Sequence, residues 1–260
     1  WYAIATVLMY GFQRSLLYRP KVLSAPEFAE QVQSRFGGRA SVLPGFDAVV
    51  LEPETPAKYT AILFHGNGGN GVDRDVLSSR FLFRGYRLIF AEYPGYAARA
   101  GDPNEKVLVQ DGLQLLAAVQ QRFKGQPVVV VGESLGSGVA TQVAALSRHP
   151  PAALVLITPF ASLTEVAQLR MTIFPVKWLL KDRYESDRHI SKFAGPVWVM
   201  VSDKDELVGP ATGLALHKAA QARGPATLVR VTKAGHNDWW SKMSTAQWDT
   251  LLGPAVQQAP

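Results

Sequence analysis

Residues 127–149 read PVVVVGESLGSGVATQVAALSRH, and no other stretch limits the fold so tightly. Four successive valines show no polar alternation, which marks a strand covered on both faces. Gly132-Glu133-Ser134-Leu135-Gly136 follows at once, and an apolar, helix-like stretch then runs over 136–148. A doubly buried strand feeding directly into a helix is a unit of a parallel sheet with helices on both sides. The pattern recurs. Short β-branched or apolar runs at 47–52, 59–64, 86–91, 152–157, 196–202 and 227–231 alternate with helix-like stretches at 72–83, 105–123 and 212–223. The expected fold class is α/β, a mostly parallel central sheet with helices on both faces. A length of 260 residues suits one such domain.

Within the opening segment, Ser134 sits at the sharp strand-to-helix turn, where flanking small residues give the backbone room. A serine hydroxyl is a weak nucleophile until a base takes its proton. Two later strands end in groups that can supply one. Residues 197–201 lead into Ser202-Asp203-Lys204-Asp205-Glu206, and 227–232 lead into Lys233-Ala234-Gly235-His236. Serine, acid and histidine each follow a strand, so all fall at the carboxyl edge of the sheet, where open α/β folds bind ligands. This order suits His236 as general base and Asp205 as the acid orienting it, with Asp203 as the rival acid.

These residues, with His65-Gly66-Asn67-Gly68-Gly69-Asn70, Glu92-Tyr93-Pro94-Gly95-Tyr96, Thr158-Pro159-Phe160, Asp205-Glu206-Leu207-Val208 and Gly235-His236-Asn237-Asp238, resemble the α/β-hydrolase superfamily from about Leu17 to Leu252. The set is similar to the subgroup with N-terminally anchored members, which includes depalmitoylase-like and lysophospholipase-like hydrolases. The resemblance implies Asp205 rather than Asp203 as the catalytic acid. It also implies an oxyanion hole built from the backbone N–H groups of Leu135 and Asn67. It departs after the second tyrosine of the tyrosine-rich loop, where Ala97-Ala98-Arg99-Ala100 follows; Arg99 is expected to be solvated, with an approach to an anionic substrate group as the alternative.

The implied activity is cleavage of a carboxylic ester or thioester through an acyl-enzyme, with no metal and no cofactor. The widest gap between strands, 159–195, carries apolar helix-like runs at 163–171 and 176–180 and reads as a lid over an acyl or lipid-like substrate. Phe160, Phe174, Trp178 and Trp239 are the candidate substrate-binding residues.

Residues 1–20 form an apolar N-terminal segment ahead of a hydrolase domain at 21–260. The charge-free run WYAIATVLMYGF precedes Arg14, Arg19 and Lys21. It falls short of the roughly 20 residues a bilayer span needs. Two readings stand: the end of a truncated membrane anchor, which would make the protein membrane-associated through residues 1–20, or a helix packed on its own domain or on a partner chain.

Two rival functions remain. Gly66, Gly68 and Gly71 match a dinucleotide-binding spacing after a strand, with Glu92 near the place of a ribose-binding acid. A non-catalytic binding module on the same scaffold is the other. The absence of cysteine excludes disulfides, thiolate catalysis and thiolate metal sites. A net charge of +6 without any run of Lys or Arg does not suit a dedicated nucleic-acid surface.

Overall fold

The computed structural model describes residues 1–253; the expected domain's last residues, 254–260, lie outside the described residues. Eight strands form one sheet: β1 (Ala40–Leu43), β2 (Ala48–Leu51), β3 (Tyr59–Phe64), β4 (Tyr86–Phe90), β5 (Val128–Glu133), β6 (Ala153–Ile157), β7 (Val197–Ser202) and β8 (Ala226–Val231). Their spatial order is β8-β7-β6-β5-β3-β4-β2-β1. All neighbours are parallel except β2, which runs antiparallel to both β1 and β4.

The helices are α1 (Tyr2–Leu17), α2 (Ala25–Phe36), α3 (Ser78–Leu82), α4 (Glu105–Arg122), α5 (Leu135–Leu146), α6 (Leu163–Arg170), α7 (Val176–Leu179), α8 (Ser186–Ile190), α9 (Pro210–Gln221), α10 (Trp239–Lys242) and α11 (Thr245–Leu252). One core packs α4, α5, α8 and α9 on one sheet face, and the other packs α2, α3 and α11 on the opposite face. The doubly buried valines of β5 separate these two cores, as a strand covered on both sides requires.

Two expectations about the elements need correction. Ala40–Leu43 is a strand, paired with β2 across a turn holding Gly45 at φ +84° and Asp47 at φ +48°. The helix expected over 72–83 is broken. A 3₁₀ turn covers Gly71–Leu77, with Arg74 at φ −96° and ψ 18°, and only Ser78–Leu82 is α-helical.

Helix α5 is buried along almost its whole length, which its apolar circumference allows. Its approach to the sheet depends on Gly136: a Cβ there would lie 2.1 Å from the Phe64 carbonyl oxygen and 2.6 Å from that of His65. The nucleophile turn is thereby pressed against the end of β3. No helix among the described residues is long and apolar enough to cross a membrane. Helix α1 lies on the outside of the domain with no fully buried residue.

Candidate active site

Ser134 occupies the turn between β5 and α5 with φ +51° and ψ −118°, a conformation that costs a non-glycine residue on the order of 1–3 kcal/mol. Its N–H donates to the Ile157 carbonyl at 2.9 Å, and its carbonyl accepts from the N–H of Ser137 at 2.8 Å and the hydroxyl of Ser137 at 2.6 Å. These bonds fix the turn from the neighbouring strand and from the first helical turn.

His236 reaches this serine from the loop after β8. Its Nε2 lies 2.8 Å from Ser134 Oγ, and its Nδ1 lies 2.7 Å from Asp205 Oδ2. The other oxygen of Asp205 accepts the N–H groups of Leu207 and Val208, both at 2.9 Å. Burial by itself would raise the Asp205 carboxyl, but the hydrogen bond and charge of His236 and the two N–H donors outweigh it and hold the group below its ordinary value. The carboxylate is thus ionised where it faces the imidazole Nδ1–H. Asp203 points elsewhere, accepting Nε and a terminal nitrogen of Arg230 at 3.0 and 2.8 Å.

The loop after β3 supplies the remaining side of the site. A Cβ on Gly66 would lie 3.5 Å from Ser134 Cβ, so the backbone leading to Asn67 runs beside the nucleophile. The Asn67 carbonyl accepts from the N–H of Arg19 at 2.9 Å and the hydroxyl of Tyr96 at 2.8 Å, and its side-chain amide donates to the Leu17 carbonyl at 2.8 Å. The Asn67 N–H shares a peptide plane with the Gly66 carbonyl, which accepts from His65 Nδ1 at 2.7 Å, so its direction is fixed. Arg74 ties this loop to the turn, donating to Glu133 Oε2 at 2.7 Å and to the Gly68 carbonyl at 3.1 Å.

Behind the loop, His65 and Glu92 are fully buried with Nε2 and Oε2 3.9 Å apart. Burial, and then the charge of Arg74, hold the imidazole well below its usual value. Burial pushes the Glu92 carboxyl up to about 8 despite the N–H donors of Gly71 and Val72. At neutral pH the two groups therefore meet as uncharged partners, not as an ion pair. The Nδ1–H of His65 donates to the Gly66 carbonyl at 2.7 Å, leaving Nε2 as the lone-pair nitrogen that faces Glu92.

This arrangement removes the basis of the dinucleotide reading. Glu92 Oε1 accepts the N–H groups of Gly71 and Val72 at 2.8 and 3.3 Å, and the Asn70 side chain takes that of Asp73 at 3.1 Å. A pyrophosphate would need those donors free.

The four candidate substrate-binding residues do not gather in one place. Phe174 lines an apolar cavity between α1 and the segment 163–180. Trp178 stands 85% exposed on α7. Phe160 is buried beneath, with its ring centroid 6.5 Å from that of Tyr184, and Trp239 is buried on the other sheet face against Trp248 at 5.8 Å. Arg99 is not solvated: both terminal nitrogens donate to Asp111 at 2.7 Å. Arg74 and the Leu17 carbonyl escaped the sequence reading, and Glu92 was named there only within the tyrosine-rich motif and as a ribose-binding acid, although an acid inside an apolar run must be satisfied or neutral.

A family model described as Serine aminopeptidase, S33 (Hydrolase_4) matches residues 55–186, just over half of the chain. The uncharacterized protein Rv2307c of Mycobacterium tuberculosis is 31% identical over 252 residues, 89% of this chain and 83% of that protein. The chain belongs to the α/β-hydrolase superfamily of serine hydrolases.

Other members of this superfamily align over less of their length. Human alpha/beta hydrolase domain-containing protein 17B is 34% identical over 70% of this chain and 62% of its own length. The lysophosphatidylserine lipase ABHD12 of Danio rerio is 29% identical over 68% of this chain and 52% of its own length. Among solved structures, the Pyrococcus furiosus esterase Pf2001 superposes with a TM-score of 0.65 at 13% identity, covering 94% of this chain and 98% of that one. That likeness establishes the α/β-hydrolase fold, and the family supports hydrolase chemistry on small ester-like molecules in general.

Proposed function

We propose that this α/β-hydrolase cleaves carboxylic esters or thioesters of acyl or lipid-like substrates through a covalent acyl-enzyme. The observation that carries the reading is the unbroken series Ser134 Oγ, His236 Nε2, His236 Nδ1 and Asp205 Oδ2, with spacings of 2.8 and 2.7 Å. In this reading Ser134 Oγ bonds to the substrate carbonyl carbon while its proton passes to His236 Nε2. The carbonyl electrons move onto oxygen, which the N–H groups of Asn67 and Leu135 then hold. Collapse of the tetrahedral species breaks the C–O or C–S bond, and the leaving group takes the proton from Nε2. Water repeats the sequence from the other side: Nε2 accepts its proton, the acid leaves, and Ser134 recovers its hydrogen. Asp205 keeps Nδ1 protonated throughout and stabilises the transient imidazolium. Nothing in these steps calls for a metal or an organic cofactor.

Fixed donors at the oxyanion contribute about 3–4 kcal/mol each to such reactions, which is the role assigned to the clamped Asn67 loop. The segment 159–195, with α6, α7 and α8, is assigned as the lid of a domain that begins near residue 21. The similarity to a lysophosphatidylserine lipase supports an acyl substrate. We also assign α1 to a lipid surface, because Ile4, Val7, Leu8 and Phe12 are exposed on it while Ile173 and Trp178 are exposed on the adjacent lid.

The test is labelling by a fluorophosphonate serine probe, with hydrolysis of p-nitrophenyl butyrate measured alongside. Ser134→Ala is expected to remove both signals while keeping the melting transition. Labelling that survives this substitution, or a folded wild type that neither labels nor turns over ester, overturns the assignment and returns the chain to a binding role.

A further inference from the structure

The apolar cavity between α1 and the lid does not belong to either element alone. Met9, Leu16 and Leu17 of α1 form one wall, and Leu163, Ala167 and Met171 form the other, enclosing about 170 Å³. Its hydrogen-bonding side chains are Tyr10, which is exposed to solvent, and Gln13, whose amide is fully engaged. Gln13 Nε2 donates to the carbonyls of Tyr10 and Leu179 at 3.0 and 3.1 Å, and Oε1 accepts the Lys181 N–H at 2.7 Å. Away from the solvent-exposed Tyr10 the cleft therefore offers nothing to a polar ligand, and a polar group placed there would lose its hydrogen bonds to water.

Both ends of the cleft are fastened. The Tyr2 hydroxyl donates to the Ile173 carbonyl at 2.8 Å, and its ring stacks on Phe174 with centroids 5.9 Å apart. At the other end Arg14 grips Asp182, and the Tyr18 and Tyr184 hydroxyls meet at 3.0 Å. The inner wall touches the loop beside the nucleophile, because the carbonyl of Leu17 accepts the Asn67 side-chain amide at 2.8 Å.

We infer that the cleft between α1 and the lid holds the acyl chain of the ester that reacts with Ser134, so that α1 is a wall of the substrate site. The inference rests on the ester-hydrolase reading above and deepens it. The occupant is a single saturated chain. A dry engineered cavity of about 150 Å³ accepts benzene, so this volume suits a run of roughly six to eight carbons. A bulky or polar acyl group finds neither room nor partners.

The experiment pairs chain-length selectivity with direct binding. Wild type should prefer p-nitrophenyl octanoate to butyrate, since each buried methylene contributes about fourfold in affinity. Ala167→Trp fills the cleft from the lid and Met9→Trp fills it from α1. Each is expected to lower the octanoate-to-butyrate ratio of kcat/KM by tenfold or more, whereas Phe83→Trp, on an exposed residue elsewhere, should leave that ratio as in wild type. Decanoate binding measured by calorimetry should weaken in the same two variants. If Ala167→Trp acts and Met9→Trp does not, α1 is not a wall and the inference falls. Unchanged ratios and unchanged decanoate binding in both variants, with Ser134-dependent butyrate hydrolysis intact, overturn the cleft and leave the hydrolase standing. Decanoate binding lost in both variants of a chain that hydrolyses no ester would uphold the cleft and reject the reaction.

Discussion

Arg14 donates to both carboxylate oxygens of Asp182, at 2.8 and 3.1 Å, across 168 positions of chain. The aspartate side chain is only 5% exposed and the arginine is 45% exposed. The same carboxylate accepts the Glu105 N–H at 3.3 Å, and Glu105 in turn takes the N–H groups of Arg183 and Tyr184. One ion pair thus fastens the outlying α1 to the start of α4 and to the segment leaving the lid.

Arg14→Met is expected to cost about 1 kcal/mol, since one partner is half in water and screened. For a domain of this size that lowers Tm by roughly 2–4 °C. Asp182→Asn should cost a similar amount, and the double variant little more, because the two changes remove the same contact. Thermal melts of all four proteins complete the cycle; strictly additive losses would show that the pair does not hold α1.

Ser134→Gly should stabilise the protein while removing the hydroxyl on which the proposed reaction depends. Glycine adopts φ +51° without its neighbours crowding a Cβ, so a gain of about 1 kcal/mol is expected. Differential scanning calorimetry would read this as a rise in Tm. A fall would mean that the serine's bonds to the histidine outweigh the strain of its turn.

Glu92 makes stability depend on alkaline pH. An unfolded glutamate releases its proton near 4.3, whereas burial keeps the folded group protonated up to about 8. The folded state therefore binds the extra proton, so this contribution is complete at low pH and fades as pH rises towards 8. Glu92→Gln keeps an acceptor for Gly71 and Val72 and turns an amide N–H towards the free nitrogen of His65. The variant should lose less stability than wild type between pH 6 and pH 9, by an amount on the order of a few kcal/mol. Denaturant titrations at those two pH values would measure it; parallel pH profiles would reject the buried neutral acid.

Val7→Glu and Phe12→Glu place charge on exposed positions of α1 that do not line the cleft. Co-sedimentation with phosphatidylcholine vesicles containing phosphatidylserine should fall at least fivefold in the double variant, with melting unchanged. Equal sedimentation of both proteins would detach α1 from any lipid role.

The positions at the strand ends were legible in the sequence because they depend on local rules. Ser134 follows four buried valines, and Asp205 and His236 follow their own apolar runs, so the direction of a parallel sheet carries all three to one edge. What escaped reading depends on distant partners. The helix expected over 72–83 breaks because Asn70 and Asp73 cap a tighter turn and Arg74 leaves the helical path towards Glu133. Strand β1 is four residues on an exposed edge, and its best signal was the Pro44-Gly45 turn that follows it. Arg99 looks solvated beside three alanines until α4 brings Asp111 to it. Trp239 follows the histidine by three positions, but the chain has by then turned to the far face of the sheet, where α11 supplies Trp248.

The cleft joins residues 9–17 to residues 163–180, so its walls cannot meet during synthesis until the later segment exists. At about 5–20 residues per second that interval is on the order of 10–30 s. For all of it α1 carries an apolar face with no partner in its own domain, and a contact that closes so large a loop forms late. The nucleophile turn, built from neighbours in sequence, has no such delay. The reacting atoms meet later still, because Asp205 and His236 lie beyond residue 180, so the chain that selects what reaches them is made before the chain that completes the site.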